Sequence, residues 1–135
     1  MRFMLLLKGD PDVSAPPAPD APPLDELVAA MGRYSEELSQ AGVLLAAEGL
    51  YPSGMGGARV VYAKGRRTVV DGPFAEAKEL VAGFYMIDVK SREEAIEWAS
   101  RCPVEYAVRG DQEAVVEVRQ IGEQAAEIFP ELAKG

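Results

Sequence analysis

Asp71-Gly72-Pro73-Phe74 is followed closely by Glu76, Lys78 and Glu79, so two carboxylates and an ammonium stand beside an aromatic ring. Such a group can hold a polar ligand. If the segment folds over a sheet, burial would raise a Glu pKa or lower that of Lys78 enough for acid-base work. The plainer reading is local. Asp opens turns, Gly permits unusual φ and Pro fixes the next residue, while exposed Glu and Lys pair for at most about 1 kcal/mol. Glu48 is the better single clue, because a carboxylate in the apolar run from Val43 to Leu50 must be paired, or face water or a pocket. Arg59, Arg119 and Lys78 are its candidate partners across a sheet. Tyr34 and Tyr85 either line the same pocket or belong to the core. The candidate pocket is therefore Tyr34, Glu48, Asp71, Phe74, Glu76, Lys78, Glu79 and Arg119, with no residue assigned a catalytic role.

The 135 residues include no histidine. That absence removes Ser-His-Asp and Cys-His mechanisms and the commonest ligand of catalytic metals. Chemistry must come from Asp, Glu, Lys, Tyr, Ser, Arg or the backbone, and no metal or cofactor is expected. Cys102, the only cysteine, reads as a buried small apolar residue and fits a reducing compartment. A net charge of −8 repels phosphate backbones and anionic membranes, which argues against general nucleic-acid binding. No apolar run is long enough for a membrane span or a signal-peptide core, so a cytoplasmic location is expected.

The elements that must position these residues follow from periodicity. Residues 2 to 7 are a compact apolar strand. Residues 11 to 23 carry six prolines and read as a loop or semi-extended surface strap. Leu24, Leu27, Val28, Met31, Tyr34, Leu38 and Ala41 recur at helical spacing over about 18 residues, with Gly42 as the stop. Val43 to Leu50 is a strand, and Pro52 to Gly57 a loop. Arg59–Ala63 and Arg67–Asp71 form a hairpin turning at Lys64-Gly65-Arg66, whose basic tip reads as a solvated edge. Residues 80 to 89 make the longest strand. Ser91-Arg92-Glu93-Glu94 is a capping box opening a helix to about Arg101, which Pro103 ends. Ala114 to Ile121 is the last strand, with Val116 and Val118 on one face and Glu117 and Arg119 on the other. A short helix from Glu123, interrupted at Pro130, makes up the tail (residues 123–135). This order is α+β, a ferredoxin-like βαββαβ domain over residues 1–122 with an inserted β-hairpin. Two helices cover one sheet face. The bare face calls for a second copy and hence a homodimer.

The stretch from Asp71 to Val89 (DGPFAEAKELVAGFYMIDV) resembles the signature of the YCII-related family, in the branch named for its Asp-Gly-Pro-Phe motif. Ala41-Gly42-Val43 through Glu48-Gly49-Leu50, Glu94-Ala95 with Trp98-Ala99, and Glu117-Val118-Arg119 fit the resemblance in order. It covers nearly the whole chain apart from the proline-rich strap and the last dozen residues. It implies a dimeric α+β barrel with a pocket between the sheet and the segments around the turn. Some members are enzymes, including a class that removes chloride from a chlorinated aromatic with a His-Asp pair. Here the first helix offers Met31, Arg33 and Tyr34 instead of that histidine, so the dyad does not carry over. Members of the branch often look like accessory proteins, some linked with extracytoplasmic-function sigma factors. The expected function is a homodimeric small-molecule-binding or regulatory accessory protein. The alternatives are a cofactor-free, lyase-like enzyme using Asp, Glu or Lys, and an interaction partner of a sigma-factor system of that type.

Overall fold

The computed structural model describes residues 1–10, 22–106, 113–129 and 131. Four strands form the main sheet: β1 (Arg2–Lys8), β2 (Leu44–Gly49), β5 (Val81–Asp88) and β6 (Val116–Gln120), in the order β2-β5-β1-β6 and antiparallel throughout. Helices α1 (Leu24–Gln40) and α2 (Arg92–Ser100) complete the ferredoxin-like pattern. Strands β3 (Ala58–Ala63) and β4 (Arg66–Asp71) pair only with each other, so the inserted hairpin is a separate two-stranded sheet. Among the described residues of the expected tail helix, Ala125–Ile128 form a four-residue helix, α3. Pro130 lies outside the described residues, as do residues 11 to 21 of the expected strap.

Side-chain alternation decides which sheet face becomes the core. Phe3 and Leu5 from β1, Tyr85 and Ile87 from β5, and Tyr34, Leu38, Ala95 and Trp98 from the helices form one buried cluster. Val116 and Val118 pack against it from β6, where Glu117 and Arg119 take the opposite face, as the alternating pattern predicts. The opposite face carries Met4, Leu6, Phe84 and Met86, all half-buried.

Helix ends follow their capping chemistry. Gly42 adopts φ 75°, and the Val43 amide reaches back to the Leu38 carbonyl at 3.1 Å, closing α1 as a Schellman-type stop. At α2 the Ser91 hydroxyl accepts from the Glu94 amide at 3.1 Å. The Glu94 carboxylate accepts from the Lys90 amide at 3.0 Å, one residue earlier than a standard capping box expects.

The helical stripe read along α1 needs correction. Leu24 and Val28 are 73% and 62% exposed, and Ala41 is exposed as well. Ala30, Tyr34 and Leu38 are the buried residues, with Leu27 and Met31 half-covered. The first half of α1 is therefore not sealed onto the sheet, and what lies beneath explains why.

Candidate functional site

Beneath the first half of α1 the sheet has almost no side chains. Gly49 of β2 pairs with Gly83 of β5, next to Ala47, and Ala82 lies beside Gly83. These small residues leave a cavity of about 530 Å³ between the strands and Leu27 and Met31. Leu7 and Val104 add apolar walls. The volume lies in the range of small-molecule sites, and its lining is mostly apolar with a few polar groups, which is how such sites achieve both affinity and orientation.

Two hydroxyls line it. The Tyr85 hydroxyl and the Ser35 hydroxyl lie 3.4 Å apart, so each can donate to the other or to a ligand. Glu48 also borders it, but it pairs with Phe84, so its exposed side chain takes the open face of the sheet, away from the cavity. Tyr34 lies against Tyr85 edge-to-face, centroids 5.2 Å apart, and donates its hydroxyl to the Trp98 carbonyl at 2.6 Å. Its donor is thus already used, and its ring supports Tyr85.

The other expected site residues lie elsewhere. Arg119 is exposed on the open sheet face and pairs with Glu117 at 3.4 Å. Glu76, Lys78 and Glu79 are exposed, with Ala77–Glu79 forming one turn of 3₁₀ helix. Of the eight, Glu48 borders the larger cavity and Tyr34 a smaller hollow of about 210 Å³ with Arg33, Glu37 and Arg101. No ion pair joins Glu48 to Arg59, Arg119 or Lys78 among the described residues. Sequence reasoning missed Ser35, Leu27 and the facing glycines, although the Gly49 and Gly83 spacing within two apolar strands was the available signal.

The Asp71–Phe74 turn has its own architecture. The Asp10 carboxylate accepts from the Ser53 amide at 2.6 Å and from the Ser53 hydroxyl, which in turn accepts from the Phe74 amide at 3.0 Å. The Gly72 amide donates to the Gly57 carbonyl at 2.9 Å. The Gly72-Pro73 peptide is cis. Arg59 stacks on the Phe74 ring, 3.9 Å from its centroid. The motif is a latch that ties the base of the hairpin to the end of β1.

Electrostatics at the core side of the cavity favour neutral groups. Burial pushes the Cys102 thiol up to about 11, with Glu105 adding to the rise. Burial likewise raises Tyr34 and Tyr85 above the ordinary phenol range, the Ser35 hydrogen bond partly opposing it at Tyr85. A group holding its proton more tightly when folded stabilises the fold fully below its unfolded pKa, and that contribution is lost as pH rises toward the folded value. Stability should therefore fall as pH rises from about 9 toward 11. At pH 8 the native thiol should react with iodoacetamide on the order of 100-fold more slowly than an unhindered cysteine, and at the ordinary rate in denaturant. Fast labelling of native protein would contradict this placement.

Two comparisons with known proteins bear on the chain. The family model described as YCII-related domain matches residues 1–123. A segment of 38 residues is 50% identical to an uncharacterized protein of Rhizobium meliloti (strain 1021), covering 28% of this chain and 31% of that protein. The match thus spans about a third of that relative's length.

Proposed function

Since the chain belongs to the YCII-related family, we propose that it is a homodimeric small-molecule-binding or regulatory accessory protein whose ligand enters the cavity beneath α1. The observation that carries the reading is the cavity itself: about 530 Å³ floored by Gly49 and Gly83, with the Ser35 and Tyr85 hydroxyls together on its lining. An apolar body bearing one hydroxyl or carbonyl fits this arrangement. The homodimer rests on the open sheet face, where Met4, Leu6, Phe84 and Met86 form an apolar band that a second copy would cover. Asp71, Phe74, Glu76, Lys78 and Glu79 then serve as the rigid latch and charged loop beside the hairpin.

Gly49→Leu provides the test, because a Cβ built at Gly49 meets no atom within 4 Å. The new side chain should enter the cavity, raise the thermal midpoint by a few degrees through added burial, and abolish binding. Screening phenols, aryl amines and branched alcohols by thermal shift should yield hits with wild type that vanish in Gly49→Leu and weaken about tenfold in Tyr85→Phe, the loss of one hydrogen bond. Hits that persist unchanged in Gly49→Leu would place the ligand elsewhere. Turnover of any hit by wild type would instead favour the cofactor-free enzyme reading.

A further inference from the structure

The hairpin β3–β4 is the part of the molecule that the cavity leaves unexplained. Every residue of both strands is exposed, including Val60, Tyr62 and Val69 at 66%, 65% and 68%, and Val61 and Val70 on the other face. A two-stranded ribbon with both faces in water is marginal by itself. This one is nonetheless well formed. Lys64 and Gly65 take φ 53° and 75°, the positive pair required by a tight type I′ turn, and the Asp10-Ser53-Phe74 latch holds the base. A ribbon built and anchored in this way, with five exposed valine and tyrosine side chains, is a contact surface.

Charge identifies the occupant. Residues 58–71 contain four basic side chains and one acidic, a net +3, while the whole chain carries −8, which leaves −11 on the remainder. Among the described residues, Arg59, Lys64, Arg66 and Arg67 form no ion pair within the chain. The chain thus presents one cationic apolar projection and an otherwise strongly acidic body. Two copies are complementary where one copy alone is not. The open sheet face offers an apolar band bordered by Glu48 on β2, while on β6 Glu117 is already paired with Arg119 of the same face.

We propose that the β3–β4 hairpin is an arm that reaches onto a second copy of this chain, its valines and Tyr62 extending the buried apolar interface and its basic residues meeting the partner's acidic body. The inference rests on the homodimer reading and adds the element that stabilises it. Attraction between the arm and an acidic body also predicts salt-sensitive association, since screening weakens exposed charge pairs.

Sedimentation equilibrium of the full chain separates the two ideas. Wild type should dimerise. Arg66→Glu/Arg67→Glu and, separately, Val60→Ser/Val69→Ser should each weaken dimerisation at least tenfold while circular dichroism and thermal midpoint of the isolated subunit stay unchanged. Hydrogen exchange of unaltered wild type supplies a second readout, with hairpin amides gaining protection as concentration crosses the dimerisation range. Support requires both the weakening and the protection. A wild-type dimer whose dissociation constant is unchanged in both variants overturns the arm and leaves the homodimer standing. A monomeric wild type at all accessible concentrations overturns the homodimer and the arm together. Binding of the hairpin to an acidic peptide or to nucleic acid, without effect on self-association, overturns the choice of a second copy.

Discussion

Gly72→Ala should loosen the junction between residues 53 and 74 by about 2 kcal/mol, read as roughly thirtyfold faster hydrogen exchange at the amides of residues 57 and 72. The reason is steric. A Cβ at Gly72 would collide with the Ser53 carbonyl oxygen and lie 2.7 Å from its carbonyl carbon. Neither is a flexible side-chain end that can swing aside. The Ser53 backbone is held by its own amide on Asp10 and by its carbonyl, which accepts from the Gly57 amide at 3.1 Å. Relief must come from displacement of the latch. The core cluster of Phe3, Leu38 and Ile87 involves none of these residues, so exchange there should change little. Gly54→Ala is the control, since its added Cβ would meet Pro73 at an ordinary 3.4 Å. Equal effects at the two glycines would refute the steric account of the motif.

How far apart in sequence the interacting partners lie decides which parts of the molecule could be read from sequence. Strand alternation in β6 and the Ser91 cap depend on neighbours two to four residues apart, and both are legible. The cap still bonded Lys90 rather than Ser91, a matter of side-chain reach. The Asp71–Phe74 motif was legible as a turn but not as a latch, because its partners are Asp10 and Ser53, distant in sequence and ordinary in type. The charges beside it suggested a pocket by proximity in sequence, yet Glu76, Lys78 and Glu79 lie in solvent. The cavity was hidden for the opposite reason. It arises from side chains that are missing, at Gly49 and Gly83, which come face to face only once β2 pairs with β5.

The same substitution at two places on α1 should give two very different results. Leu38→Ala should cost about 3 kcal/mol and lower the thermal midpoint by roughly 10 °C, whereas Leu27→Ala should cost about 1 kcal/mol or less. Leu38 is wholly buried within the core cluster, so truncation leaves a void lined by Tyr34, Ile87 and their neighbours that packed structure cannot fill. Leu27 already borders a void of about 530 Å³, so removing its branch enlarges an existing space and forfeits fewer contacts. Denaturant titration of both variants measures the difference directly. Ligand response should invert the order. Leu38→Ala should bind like wild type under conditions where it remains folded, while Leu27→Ala should lose affinity for small ligands, because one wall of their site recedes. If Leu27→Ala destabilises as much as Leu38→Ala, α1 is sealed onto the sheet along its whole length and the cavity does not exist in solution. If it is nearly silent in stability but weakens binding, the half-lifted start of α1 is the feature that this fold gives up stability to keep.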